Sequence, residues 1–104
     1  MEANGLPELR RPVHPGKVFL EKFLNRLGIT QREAAKALHI SYPRMNEIVN
    51  EKRSVTPETA LRLARFTGTE PEFWLSLQQA RDLWDTRQSE EAKDVERIRP
   101  AVGS

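Results

Sequence analysis

The chain has 104 residues, enough for one domain with a modest core, and its 38% hydrophobic and 31% charged residues are typical of a soluble globular protein. It has no cysteine and only two histidines, His14 and His39, so disulfides, thiol catalysis and cysteine-ligated zinc are excluded and neither a metal nor a cofactor is expected. No apolar run approaches the ~20 residues that cross a bilayer, and the N-terminus has no apolar signal segment. We therefore expect a cytoplasmic protein that does not bind membranes.

Charge is distributed unevenly along the chain. Residues 1–69 contain 12 basic and 7 acidic side chains, a balance of +5, whereas residues 70–104 contain 5 basic and 8 acidic ones, a balance of −3. The mildly basic part suits a surface that faces phosphate groups. A balance of this size is also normal for proteins that never bind nucleic acid.

The N-terminal part predicts a flexible segment followed by a support helix. Residues 1–13 show little periodicity, and we expect them to be flexible. Order should begin at His14-Pro15-Gly16, and Gly28 supplies the left-handed residue that commonly ends a helix. Between them lies an apolar stripe at helical spacing, formed by Val18, Leu20, Phe23, Leu24 and Leu27.

Residues 30–51 predict two short capped helices joined by a tight turn. Thr30 and Glu33 form a capping box at the start of the first helix, which runs through Leu38. His39 lies in the turn, where a residue with positive φ is comfortable. Ser41 is a good cap for the second helix. This layout is that of a helix-turn-helix reader of the DNA major groove.

The second helix has one apolar side and one polar side. Pro43 lies in its first turn, where the missing N–H costs nothing. The apolar residues at helical spacing are Met45, Ile48 and Val49, and the residues that face outward are Tyr42, Pro43, Asn46, Glu47 and Asn50, with Arg44 on a flank. The outward residues are the candidate base readers.

Each polar residue of this region has a candidate contact. Gln31 can place its amide on a phosphate, Lys52 and Arg53 can grip the sugar-phosphate chain, and Tyr42 can stack on or hydrogen-bond to a base or phosphate. Arg44 can pair with guanine, Asn46 with adenine, and Pro43 can touch a thymine methyl. Glu47 can repel phosphate, accept from cytosine or bridge to Arg44, and we favour the bridge. Solvent exposure alone would also explain Gln31, Lys52 and Arg53.

Two further helices and a polar tail complete the domain, which we place at residues 14–86. Thr56-Pro57 opens one helix and Gly68 closes it, and a capping box from Thr69 to Glu72 predicts the start of the next. That last helix has Phe73, Leu77, Ala80 and Trp84 on the face expected to pack on the core, with Trp74, Leu75 and Leu83 elsewhere. So many apolar positions favour a helix shared with a second subunit. Residues 87–104 predict a frayed helix, with Ser89 as a candidate cap, or a disordered tail.

Other functions find less support in the sequence. Trp74 and Trp84 can line a small-molecule pocket, but aromatic residues on a terminal helix are more often core or interface. The glutamate pairs at 70/72 and 90/91 are explained by helix-start electrostatics. No nucleophile-base set is present, so we do not expect an enzyme or a small-molecule substrate.

With these motifs, the sequence resembles HigA-type antitoxins, also called virulence-associated protein I, in the lambda-repressor-like helix-turn-helix class. The four supporting segments are HPG at 14–16, RMNEIVN at 44–50, TPETALRLARFTGT at 56–69 and PEFWLSLQ at 71–78. The resemblance implies an all-α fold of five helices and a homodimer formed largely through the C-terminal helical region. It also implies binding to a palindromic operator, repression of the shared operon, and neutralisation of a HigB-type toxin, a ribosome-dependent messenger-RNA endonuclease.

Carried onto this chain, the resemblance makes Gln31, Ser41, Tyr42, Arg44 and Asn46 DNA contacts, and places Phe73, Trp74 and Leu77 in the core and dimer region. The chain departs from the commoner pattern at His39 and at the loop 50–53, both of which lack the frequent glycine, and Pro43 is an unusual reader. Two alternatives stay open: a solitary regulator of the same fold without a toxin, and a protein-binding adaptor without DNA activity.

Overall fold

The computed structural model describes residues 10–103, and every regular element in that range is helical. Helix α1 covers residues 15–27 and is built from an α-helical start (Pro15–Phe19), a π-helical middle (Leu20–Leu24) and an α-helical end (Asn25–Leu27). The other helices are α2 (Gln31–Leu38), α3 (Tyr42–Val49), α4 (Pro57–Thr67), α5 (Pro71–Arg87) and the short α6 (Glu91–Val95). The predicted five helices are confirmed. Helix α6 lies in the predicted tail, and residues 1–9 of the predicted flexible segment lie outside the described residues.

Most of the predicted signals at the helix ends are confirmed. The hydroxyls of Thr30, Ser41 and Thr56 each accept a hydrogen bond from the backbone N–H three residues on, and Glu33 completes the capping box. Left-handed residues end three helices: Gly28 (φ 70°), His39 (φ 59°) and Gly68 (φ 74°). These caps pair backbone groups that a helix end would otherwise leave without partners.

Two predicted caps are wrong. Helix α5 begins at Pro71 after Glu70, whose side chain makes no cap hydrogen bond, and the hydroxyl of Thr69 instead accepts from Trp74 Nε1 at 2.8 Å. The buried indole therefore takes the hydroxyl that the capping box would have used. Ser89 does not cap α6, because its hydroxyl donates to the carbonyl of Thr86 at 2.6 Å.

The predicted packing face of α5 is also wrong. Trp74 is fully buried, whereas Phe73 is 43% exposed and Ala80 is exposed. Trp74 fills the core between Phe19 and Phe23, at ring-centroid distances of 6.0 and 5.7 Å. The face that packs on the domain continues from Trp74 through two buried polar residues, Gln78 and Arg81, at helical spacing, while Leu77 and Trp84 are half-buried on its flanks. The hydrophobic pattern misplaced the face because polar side chains with partners occupy half of it.

The segment His14-Pro15-Gly16 determines how α1 meets α3. His14 Nδ1 accepts the N–H of Gly16 at 2.9 Å as the helix cap, and Pro15 follows at the first helical position. A Cβ on Gly16 would lie only 1.7 Å from the carbonyl oxygen of Ile48. The absence of a side chain therefore lets α1 contact the backbone of α3 directly.

Candidate nucleic-acid interface

Helices α2 and α3 form the predicted helix-turn-helix pair. The turn between them is His39-Ile40-Ser41, and the positive φ of His39 gives the sharp change of direction. Met45, Ile48 and Val49 are buried against the core, as predicted. Tyr42, Pro43 and Asn50 are exposed on the opposite side of α3, and Asn46 and Glu47 are partly exposed. Helix α3 therefore presents a polar face to solvent, as a helix that reads the major groove must.

Two predicted contact residues are paired with each other. Asn46 Nδ2 donates to Gln31 Oε1 at 3.0 Å, which links the middle of α3 to the first residue of α2. The bond uses one amide hydrogen of Asn46. Its second amide hydrogen and its carbonyl oxygen are not used in this bond. The pair thus holds the Asn46 amide in one orientation on the exposed face.

Tyr42 has a partner that the sequence pattern did not predict. The guanidinium of Arg32 lies over the Tyr42 ring, 4.3 Å from its centroid. This cation–π contact joins the exposed surfaces of α2 and α3, since Arg32 is the second residue of α2 and Tyr42 the first of α3. The contact places a positive charge beside the candidate reading helix. A capping pattern carries no signal for it, because it depends on how the two helices cross.

Arg44 does not form the predicted bridge to Glu47. Its Nη2 donates to Glu58 Oε1 at 2.7 Å and to Thr59 Oγ1 at 2.8 Å, both in the first turn of α4. Glu47 pairs instead with Arg53, at 2.7 Å. The bridge prediction was wrong because Arg44 lies on the side of α3 that faces α4, while the loop after α3 brings Arg53 back to Glu47.

Glu58 joins three helices, although no local sequence pattern marks it as a contact residue. Its second oxygen accepts from Arg62 Nη2 at 2.8 Å, and Arg62 Nη1 donates to the carbonyl of Leu38 at the end of α2. The hydrogen bond from Arg44, followed by that from Arg62, lowers the pKa of Glu58 below its ordinary value. The carboxylate thus stays charged between two arginines near the N-terminal half of α3.

The structure describes no group of His, Cys, Asp and Glu side chains within residues 10–103 that could hold a metal ion. In the same range, no helix is both long and apolar enough to span a bilayer.

The helix-turn-helix family profile matches residues 20–74. Virulence-associated protein I of Dichelobacter nodosus is 41% identical over 83 residues, which cover 80% of this chain and 77% of that protein. Antitoxin HigA-1 of Vibrio cholerae is 41% identical over 88 residues, 83% of each chain. This chain belongs to the helix-turn-helix family of HigA-type antitoxins.

The fold of this HigA-type chain is that of a solved relative. The Pseudomonas aeruginosa antitoxin HigA, in a structure with the higBA promoter, superposes with a TM-score of 0.82 at 33% identity, covering 88% of this chain and 100% of that one. The resemblance seen in the sequence and the lambda-repressor-like fold class are confirmed.

In the loop after α3, this HigA-type chain has Glu51 in the left-handed conformation although the loop lacks the glycine that is common there. Glu51 has φ 65°, and its carboxylate accepts from Arg81 Nη2 at 2.8 Å. Arg81 is only 7% exposed and also donates to the carbonyl of Pro12. This ion pair holds the unfavourable backbone of Glu51 in place. Lys52 and Arg53, the predicted phosphate contacts, follow on the surface.

Proposed function

We propose that this protein is a DNA-binding transcriptional repressor that acts as the antitoxin of a HigB-HigA-type system and binds a palindromic operator as a dimer. The observation that carries the proposal is the Gln31–Asn46 pair on the exposed face of α3, in a chain whose core fixes that helix from behind. Solved relatives support it, since one is a HigA antitoxin with its promoter.

Base reading falls to the residues at the centre of this face. Asn46 presents its remaining amide hydrogen and its carbonyl oxygen to adenine, with the amide already oriented by Gln31. Tyr42 and Pro43 are exposed beside it and contact a base edge and a thymine methyl. Because the Gln31–Asn46 hydrogen bond exists without DNA, little side-chain freedom is lost when the base binds.

Phosphate contacts surround the reading residues. Gln31 is the first residue of α2, where the helix dipole and its amide favour a phosphate oxygen, and Ser41 caps α3 at a second such position. Lys52 and Arg53 follow α3 and reach the sugar-phosphate chain beyond it. Arg53 forms an ion pair with Glu47, which partly neutralises its charge. Lys52 is therefore the stronger of the two phosphate contacts.

The exposed apolar residues of α5 are the proposed dimer interface. Phe73 and Leu83 are 43% and 48% exposed, although both are large hydrophobic residues. A second copy that covers α5 would place two α3 helices on half-sites roughly 34 to 36 Å apart, one helical turn of DNA. A HigB-type toxin is the other partner. The function is recognition in the cytoplasm, without catalysis.

The first experiment measures binding to the protein's own promoter by fluorescence anisotropy. We expect Asn46→Ala to weaken operator binding by about 5- to 150-fold, the range of one good bidentate base contact. Asn25→Ala, the same substitution at an exposed position of α1, should bind like wild type. If the wild-type protein shows no binding at low salt, the adaptor alternative replaces the DNA-binding proposal.

The second experiment tests the toxin partner. The chain is co-expressed with the neighbouring open reading frame, and co-purification and relief of growth arrest are recorded. Both are expected for an antitoxin. A protein that binds its operator but neither co-purifies with nor protects against that gene product is a solitary regulator.

A further inference from the structure

The chemistry of an arginine side chain limits what Arg44 can contact. Two edges of a guanidinium can pair with guanine or with two phosphate oxygens: the Nε–Nη2 edge and the Nη1–Nη2 edge. Both contain Nη2, whose two hydrogens are donated to Glu58 and Thr59. The remaining member of the first edge, Nε, is buried. In this arrangement Arg44 has no complete edge to present to DNA.

The position of Arg44 makes this limit important. It is the third residue of α3, close to Tyr42, Pro43 and Asn46, and its side chain is 26% exposed. An arginine at such a place would bind the nearest phosphate of any sequence if it were free, because phosphate attraction is strong and carries no sequence information. The carboxylate of Glu58 opposes that attraction with a negative charge, and the neutral hydroxyl of Thr59 adds a second hydrogen bond.

We propose that Glu58 is a specificity-determining residue: it holds Arg44 on α4 in the operator complex, so that Arg44 reads no base and the chain gains no sequence-independent phosphate contact there. Arg62 supports the arrangement from the other side, since it donates both Nε and Nη2 to the second Glu58 oxygen and is fixed by the carbonyl of Leu38. The inference rests on the proposed DNA-binding function. It revises the sequence-based expectation that Arg44 pairs with guanine.

The test compares operator DNA with a scrambled duplex, using Glu58→Gln and the wild-type protein between 50 and 200 mM salt. Glu58→Gln should bind the scrambled duplex more tightly. Its log–log salt slope should be steeper by about 0.9, the value for one added phosphate contact, which amounts to roughly 3.5-fold in affinity over this salt range. The ratio of operator to scrambled affinity should fall. Glu72→Gln, which removes one exposed negative charge on α5, is the matched control and should keep the wild-type ratio.

Arg44→Met identifies the group responsible. Alone, it should reduce operator affinity by less than about 3-fold, whereas loss of a guanine contact would cost about 5- to 150-fold. Combined with Glu58→Gln, it should abolish the increase in salt slope. The far-ultraviolet circular dichroism of each variant verifies folding.

Three results would overturn the proposal: an unchanged slope and ratio in Glu58→Gln, an increase that persists without Arg44, or a large loss of operator affinity in Arg44→Met. Each is distinct from failure of the proposed function, which would show as absence of operator binding by the wild-type protein itself.

Discussion

Gly16→Ala tests the contact that places α1 against the reading helix. The added Cβ would lie 1.7 Å from the carbonyl oxygen and 2.6 Å from the carbonyl carbon of Ile48, and 3.1 Å from Nδ1 of His14. An ordinary contact needs about 3.4 Å, so one of the two backbones must move by well over an ångström. Since the obstacle is helix backbone, no side-chain rotation relieves it, and close packing spreads the movement into the core.

Two opposing effects decide whether Gly16→Ala raises or lowers the free energy of unfolding. Alanine favours helix over glycine by about 1 kcal/mol at most, and less at the second residue of a helix. Overpacking costs about 1–3 kcal/mol and occasionally more, and a backbone clash of this depth belongs at the upper end. We expect the free energy of unfolding to fall by about 2 kcal/mol, together with weaker operator binding because α3 is displaced.

Urea unfolding at fixed protomer concentration measures the effect, since dimer stability depends on concentration. Lys17→Ala, at the next and exposed position of α1, is the control and should stay within about 0.5 kcal/mol of wild type. A Gly16→Ala protein as stable as wild type would refute the close approach of α1 and α3.

Three further predictions concern single side chains. Lys52→Ala should weaken binding to operator and scrambled DNA equally and lower the salt slope by about 0.9, as measured by anisotropy; an unchanged slope would remove Lys52 from the phosphate contacts. Arg81→Met should lower the free energy of unfolding by about 1–3 kcal/mol, because the Glu51 carboxylate and the Pro12 carbonyl lose their donor. The double variant Arg81→Met/Glu51→Gln should recover part of that stability, because it no longer leaves a carboxylate without a partner. Burial, followed by the charge of Arg81, lowers the pKa of His14 below its ordinary 6.5, so the unfolded chain takes up a proton first. Stability is therefore fully present above pH 6.5 and is lost as the pH falls towards the folded pKa. His14→Asn, which keeps a capping side chain, should show a smaller loss between pH 7.5 and 5.5 in urea unfolding, and an equal loss would exclude His14 as the cause.

Most helix ends were predictable because their signals are local. Thr30, Ser41 and Thr56 each bond to a backbone group only three residues away, and Gly28 and Gly68 need only their own backbone conformation. Such signals involve only neighbouring residues, so the sequence identifies them except where another contact takes the side chain, as the Trp74 indole does at Thr69. The inward face of α3 was predictable for a similar reason, since a single helical period separates its apolar and polar positions.

The partners of polar side chains were not predictable in this way. Arg44 was assigned to Glu47 because the two are three residues apart, yet it bonds to Glu58, 14 residues away. Both partners are chemically equivalent carboxylates. The choice between them depends on the crossing of α3 and α4, which periodicity does not encode. Contacts near the reading helix therefore need three-dimensional information, even where the helix itself does not.

The packing of α5 shows the same limit and explains why its polar residues matter. Gln78 Oε1 accepts the N–H of Val55 at 2.8 Å, and Arg81 bonds to Glu51 and to Pro12, so both buried side chains pair with groups in the segments before α1 and after α3. Apolar side chains on α5 could fill the same volume but could not pair with these backbone groups and the carboxylate. The polar half of the α5 face therefore fixes the loop after α3, and with it Lys52, relative to the helix that the proposed dimer shares.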